Sequence, residues 1–425
     1  MINSFLSDQL GTNYAPTPAE TLLLRQELSA SRKRVLNIEK ETSQAQGRLS
    51  DLNRQRDAVE AELRGLQAIL SPARRLIPEI LQEIFTRCLP TDRNPVMSSK
   101  EGPLLLGRIC QVWRGVAYST PALWSSIHIA IPSDSFYAYT CSHSVWNKAI
   151  VDWLSLSGTC PLSISLSVPE GDYLGSSTAL DSTVAFYLKS ISSFLPRCQS
   201  ICFLCPTNGP WNILLDKCAT SPNPLLKHIH FDLGSGNGNP ATIGDVMKTS
   251  PMFSSPMLES VILSHYGPRA IHLPIRWGQL TLLKLFDKPG FWDSHTALSI
   301  RDALLLLSWC QSLVFCAIPL SETNSSLPDS HAERAPTIVS LPQLVGFSVQ
   351  CDIDPKLFYL NLSAPSLRYL QHHQHQSQSL DAYMNGEDRA LYLSLGPFIR
   401  RVVQPVEEFE IISTTSLPLQ TLFNA

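Results

Sequence analysis

Two strings organise the chain: LIPEILQEIFTRCLP, from Leu76 to Pro90, and GRICQVWRGVAYSTPALWSSI, from Gly107 to Ile127. Pro78 falls where a helix's first turn leaves an amide unbonded, so it starts a helix at little cost. Glu79 follows in the first turn, where its charge suits the helix dipole. Ile80, Leu81, Ile84, Phe85 and Cys88 then recur at helical spacing as one broad apolar stripe, with Gln82, Glu83, Thr86 and Arg87 opposite. Pro90 stops the helix. The pattern predicts a second helix from Leu104 to about Ile109 and a third from about Cys110 to Tyr118, closed by Ser119-Thr120-Pro121. A three-helix unit this small cannot bury all its apolar side chains within itself, which leaves part of the stripe for a partner.

The order of these residues resembles the F-box, as it is written in many fungal F-box proteins. The resemblance rests on Leu76-Ile77-Pro78-Glu79-Ile80, Ile84-Phe85, Ile109-Cys110-Gln111-Val112-Trp113 and Pro121-Ala122-Leu123-Trp124. It departs from the pattern at Ile77 and Ile109, and by a polar insert, Thr91 to Lys100, that lengthens the first interhelical loop. It covers roughly 60 residues, and its specificity lies in the combined string. It implies a substrate-recognition adaptor of an SCF-type (Skp-cullin-F-box) ubiquitin ligase. On that reading Leu76, Ile77, Pro78, Ile80, Leu81, Ile84, Phe85, Ile109 and Trp113 meet the Skp adaptor, and a C-terminal domain holds an unidentified protein target.

N-terminal to the motif, residues 1–19 read as a flexible tail. From Glu20 to Leu70 proline disappears and charges of both signs alternate around a seven-residue repeat. Leu28, Val35, Leu49, Leu63 and Leu70 take one seam position, and Leu24, Ile38, Ala45, Leu52, Val59 and Leu66 the other, with Ser31, Thr42 and Arg56 as interruptions. Such a narrow seam needs a second helix, so a coiled coil is expected, with a homodimer through this segment favoured over a single helix folding back on the rest of the chain.

C-terminal to the motif, residues 71–131 give way to a predicted α/β domain over 132–425. Trp124 to Ile131 alternates like a strand, as does Pro161 to Val168. Helix followed by strand recurs at Ser182–Leu195 with Ser200–Leu204, and at Ser299–Trp309 with Ser312–Ile318. A Leu-x-x-Leu-x-Leu string returns at Leu226-Ile229-Phe231, Leu258-Val261-Leu263, Leu280-Leu283-Leu285, Leu313-Cys316-Ile318 and Leu344-Phe347-Val349, with Leu367-Leu370 opening another. The spacing, roughly 22 to 33 residues, is that of leucine-rich repeats with insertions. The Asn or Cys that usually closes such a repeat is replaced by Gly234, Tyr266, Lys288, Ser321 and Asp352, so an irregular array is expected. The fold class is therefore multidomain: a long N-terminal helix, a three-helix unit and an irregular leucine-rich-repeat-like α/β solenoid. Leu417 to Ala425 reads as the opening of a further repeat without a polar cap, as in a truncated terminus.

Composition excludes several functions. With 44% hydrophobic and 16% charged residues the chain is globular, and a net charge of -3 without a basic run argues against nucleic-acid binding. The N-terminus lacks a signal-peptide pattern, and the longest apolar run, Leu313 to Ile318, is far short of a membrane span. Eleven scattered cysteines fit reduced thiols in the cytoplasm or nucleus. His228, His230 and Asp232 would share one face of a strand, but nothing is spaced to complete a metal site. His372, His373 and His375 lie in a Gln/His/Ser tract read as a solvated loop. Cys198, Cys202 and Cys205 read as buried small residues, and the glycines at 234, 236 and 238 lack the order that phosphate binding requires. No catalytic, metal or cofactor residues are assigned. The expected function is non-enzymatic adaptor binding; the alternatives are a coiled-coil and repeat scaffold with no ligase role, and an enzyme whose site no motif reveals.

Overall fold

The computed structural model describes residues 11–131, 141–168, 177–204, 223–232, 247–264, 266–286, 297–321, 338–375 and 395–413. The chain divides into two compact units, Met1–Ile77 and Pro78–Ala425.

The first unit is dominated by helix α1, Pro18–Leu70. Thr17 caps it: its hydroxyl accepts from the Glu20 amide, and the Glu20 carboxylate accepts in return from the Thr17 amide at 2.8 Å. The Tyr14 hydroxyl also donates to Glu20, and the Thr17 and Tyr14 bonds hold the Glu20 carboxyl below its usual range. No proline interrupts its interior and it accommodates two glycines, Gly47 and Gly65, so the helix runs 53 residues, about 80 Å. No residue in it is buried, so Leu28, Leu49, Leu52, Leu63 and Leu66 line an uncovered seam.

The second unit opens with helices α2, Pro78–Arg87, and α3, Gln111–Tyr118. The segment predicted as the middle helix contains a single 3-10 turn, Leu106–Arg108. A sheet follows. Its strands β1 (Ser126–Ala130), β2 (Leu162–Ser167), β3 (Cys198–Leu204), β4 (His228–Asp232), β5 (Ser260–Ser264), β6 (Leu282–Lys284) and β7 (Phe315–Leu320) lie side by side in chain order. A short strand β8 (Val339–Ser340) pairs apart with β10 (Leu362–Ser363), and the main sheet resumes through β9 (Gly346–Cys351), β11 (Tyr369–Gln374) and β12 (Glu408–Ser413). Every pairing is parallel.

The register explains the repeated leucines. Ile127, Ile164, Ile201, Ile229, Val261, Leu283, Cys316, Phe347 and Leu370 stand opposite one another from β1 to β11, and all are buried. Just ahead of the strands, Leu226, Leu258, Leu280, Leu313, Leu344 and Leu367 are fully buried too. Each strand alone would leave this face wet; stacking buries it, which is the logic of a solenoid. Helices α4 (Cys141–Leu156), α5 (Ser177–Ile191) and α6 (Ile300–Trp309) cover it with Trp153, Tyr187 and Leu307 among others. Elsewhere 3-10 turns serve instead: Pro251–Ser254 buries Met252 and Phe253, and Trp277–Gln279 buries Trp277. The helix-then-strand unit is thus one of two ways of covering the sheet. Its other face bears the alternate residues; at the amino-terminal ends of the strands these include the exposed His228, Phe315 and Tyr369, whereas Ala317, Gln350 and His373 further along are buried.

One sequence expectation is overturned. His372 and His373 lie within β11 and are buried, not in a solvated loop. His372 stands opposite Val349 on the core face, and its Nδ1 lies 2.8 Å from the Tyr359 hydroxyl of a short helix α7, Lys356–Leu360. The tract's polarity disguised a strand whose inward polar side chains, His372 and Gln374, lie within hydrogen-bonding distance of each other and of the Tyr359 hydroxyl and the Ile353 carbonyl, respectively.

Candidate protein-docking site

Pro78 and Glu79 start α2 as the sequence requires, and Arg87 closes it with an ion pair to Glu83 at 2.8 Å, one turn back. The apolar stripe splits in two. Leu81 and Phe85 are buried, whereas Ile80 is 47% and Ile84 38% exposed. Residues one position apart differ by about 100° around a helix, so a stripe this wide has one flank inside and one outside.

The inner flank is held by α3. Cys110 caps that helix through its Sγ, which accepts from the Trp113 amide at 3.4 Å. The Trp113 ring then lies against Phe85, centroids 4.9 Å apart. Arg114 Nε donates to the Gly107 carbonyl at 2.8 Å, tying α3 to the 3-10 turn before it. At the exit, Pro121–Trp124 forms a 3-10 turn that buries Leu123 and Trp124. Trp124 Nε1 donates to the Ala117 carbonyl at 2.9 Å, and its ring contacts Tyr118 and Trp153 at centroid distances of 5.0 and 4.9 Å. Cys-x-x-Trp and Pro-x-Leu-Trp are therefore a cap with its internal wedge, and an anchor onto the sheet domain.

The outer flank is a set of exposed aliphatics: Ile80 and Ile84 on α2, Ile109 before α3, and Val112, 64% exposed, on α3. Of the residues expected to meet a partner, Ile80, Ile84, Ile109 and Pro78 are at the surface and Trp113 is half-buried. Leu81 and Phe85 are not available to a partner, because they pack inward. Leu76 is half-buried and Ile77 exposed in the first compact unit. Val112 was not among the expected residues; its position beside the inward Trp113 was the signal for it. Leu105 is exposed as well.

The polar insert 91–100 is ordered against the sheet. Arg93 pairs with Glu101 at 2.7 Å, and Glu101 also accepts from the Val96 amide at 2.6 Å; the Arg93 bond holds its carboxyl below the usual range. Val96 bridges to His128 on β1, whose amide donates to the Pro95 carbonyl at 2.8 Å. Asn94 Nδ2 donates to the Ile127 and Ser163 carbonyls and to Ser165 Oγ, and Asn94 Oδ1 accepts from Ser163 Oγ at 2.9 Å.

The other singled-out residues form no reactive centre. His228, His230 and Asp232 do share the open face of β4, alternating with buried Ile229 and Phe231. Among the described residues no group of three or more His, Cys, Asp or Glu is placed to hold a metal. Cys198 is buried; Cys202 is half-buried on the open face, its Sγ 3.5 Å from His230 Nδ1. Cys205, the glycines at 234, 236 and 238, and Leu417 to Ala425 lie outside the described residues. Among the described residues no helix is long and apolar enough to cross a membrane. What the described residues present is the exposed aliphatic cluster of Ile80, Ile84, Ile109 and Val112.

No family model matches the chain, and no curated protein sequence matches it. Among solved structures, one similar chain belongs to the crystal structure of the Rad7 and Elc1 complex in yeast, at 14% identity over 85% of this chain and 87% of that one, with a TM-score of 0.33. That likeness is too loose to carry an argument about what this chain binds.

Proposed function

We propose that this protein is a substrate-recognition adaptor of the F-box type, with α2 and α3 docking on a Skp adaptor and the sheet domain holding a protein target. The observation that carries the reading is the divided stripe: Leu81, Phe85 and Trp113 knit the two helices together, while Ile80, Ile84, Ile109 and Val112 remain outside. A helix pair with its own core and a second, exposed aliphatic flank is built to pack against further helices, and such clusters concentrate binding energy. The F-box-like order of residues names the partner.

On this reading the sheet domain is an irregular leucine-rich array. Two of the residues standing where the repeat's Asn is expected, Ser321 and Asp352, bond to each other, the Ser321 hydroxyl donating to Asp352 Oδ2 at 3.2 Å. The adaptor performs no covalent step. Its work is to raise the local concentration of a target's lysines beside a charged ligase. The open seam of α1 favours a homodimer of adaptors, and a dimeric scaffold without a ligase is the second reading it supports.

The test is binding of the full-length chain to a purified Skp adaptor. Ile80→Asp with Ile84→Asp places two charges on the outer flank without touching the inner core, and should weaken binding at least a hundredfold while leaving the melting temperature within a few degrees. Tight binding by the double variant, or none by the wild-type chain, removes the ligase role and leaves the scaffold.

A further inference from the structure

The open face of the sheet changes character along its length. At the amino-terminal ends of the strands, the row from β1 to β5 reads Ser126, Ser163, Ser200, His228, Ser260. From β6 to β12 the same row reads Leu282, Phe315, Gly346, Tyr369, Glu408. The first half offers hydroxyls and an imidazole, and the second half is apolar and then acidic.

Gly346 shows why. A Cβ built there would collide with Phe315 Cδ1 and come within 2.7 Å of Cε1. The Phe315 ring therefore leans from β7 across β9 and rests on the glycine's backbone, which only a residue without a side chain permits. A benzyl group pointing straight off the sheet would wave in solvent; this one is laid down, and it is still 44% exposed. The upper face of the ring is a platform. Tyr369, also exposed, stands on the next strand beyond Gly346, with its hydroxyl fixed by a 2.8 Å bond to Glu407. Beyond it on β12 are Glu408 and, one step along, Glu410, which accepts from Gln371 Nε2 at 3.0 Å. Arg368 is occupied with Glu407 at 3.3 Å, and Lys284 stands on β6 opposite Ala317, on the far side of Phe315 from β12. Around Tyr369 and β12, three carboxylates to one guanidinium leave that end of the strip in a negative field.

An aromatic face beside uncompensated carboxylate is complementary to a cation, and best to a planar one that stacks while donating hydrogen bonds. We infer that the Phe315–Tyr369 strip, with Glu408 and Glu410 beside it, binds an extended target segment through an arginine side chain. The guanidinium lies on the Phe315 ring, and its charge is answered from β12, two strand spacings or about 10 Å from β9. The segment's backbone runs across the strands, toward the serine half of the row. This deepens the adaptor reading by giving the target's chemistry, and rests on that reading only for the claim that the bound segment is a ligase target.

The experiment uses the full-length chain and three fluorescein-labelled twelve-residue peptides, repeats of Ala-Arg-Ala, Ala-Lys-Ala and Ala-Glu-Ala, in anisotropy titrations at physiological salt. The arginine peptide should bind tightest and the glutamate peptide should show no binding. Phe315→Ala should weaken the arginine peptide about tenfold. Glu408→Gln with Glu410→Gln, which keeps shape, should weaken it by a similar factor. Equal binding of all three peptides, or arginine-peptide binding untouched by both variants, overturns the inference. Neither variant should alter binding to the Skp adaptor; peptide recognition without Skp binding would keep this site and discard the ligase role, and the converse would do the opposite.

Discussion

Lowering the pH should destabilise the sheet domain through His372. The imidazole is fully buried on the core face of β11, where Nδ1 lies 2.8 Å from the Tyr359 hydroxyl and Nε2 3.2 Å from Gln374 Oε1. Burial raises the Tyr359 phenol well above its ordinary value, so it stays protonated and donates to Nδ1. The ring is then the neutral Nε2–H tautomer, donating to Gln374. A proton on Nδ1 would oppose two donors in a buried site, with His373 and His375 alongside and Cys351 Sγ 3.6 Å away. Burial accordingly pushes the His372 pKa down from 6.5 to about 4, against a smaller opposing effect of Gln374. The unfolded chain takes up this proton near pH 6.5 and the folded chain only near 4, so stability is full above 6.5 and lost progressively down to about 4. At 1.36 kcal/mol for each pH unit, the loss is about 3 kcal/mol, a large share of a typical domain's stability. Urea unfolding followed by tryptophan fluorescence at several pH values reads it directly. His372→Asn should be less stable at neutral pH but should lose about 3 kcal/mol less than wild type across that interval. Parallel pH profiles for the two proteins would refute the assignment, since the other histidines are common to both.

Phe85→Ala should cost about 3 to 5 kcal/mol by opening a cavity against Trp113, whereas Ile84→Ala, one residue earlier, should change thermal stability by less than about 1 kcal/mol. Changing Leu49 and Leu52 together to Glu should convert a dimer to a monomer in sedimentation, and a wild-type chain already monomeric at micromolar concentration would remove the coiled coil. Asn94→Ala strips donors from the Ile127 and Ser163 carbonyls and should cost about 1 to 3 kcal/mol, seen as faster amide exchange in β1 but not in β9.

Much of the sheet was legible because its signal is local. Leu258, Val261 and Leu263 announce a strand and its inward face in six residues, and stacking follows from the need to cover that face. The flanks of α2 were not separable, since Ile80 and Leu81, or Ile84 and Phe85, have the same hydrophobicity class and differ only in which neighbour meets them. His372 was misread because a Gln/His tract has the composition of a loop; only Tyr359 and Gln374, supplied by the fold, make a buried imidazole tolerable there. Gly346 reads as a weak point in a strand until Phe315 is seen to occupy the space above it. Val112 and the platform share this property: their exposure is decided by partners distant in sequence.

The insert 91–100 joins the two halves of the functional reading. As sequence it is a polar lengthening of a helical motif, yet it bonds along β1, the first strand of the main sheet. A parallel sheet ending in a bare strand offers unpaired amides to any neighbour, and solenoids require a cap at such an end. Here Pro95 and Val96 occupy the outer edge of β1, and Asn94 reaches over it to β2. The Trp124 anchor fastens the far end of α3 to the same region through Ala117 and Trp153. The helices are thus attached to the sheet at two points separated in sequence, and a hinge between them would have to break both. On the proposed adaptor reading, a target held on the exposed face would be carried at a set distance and angle from a partner docked on Ile80, Ile84 and Val112, sustaining an effective concentration that a flexible linker would dilute.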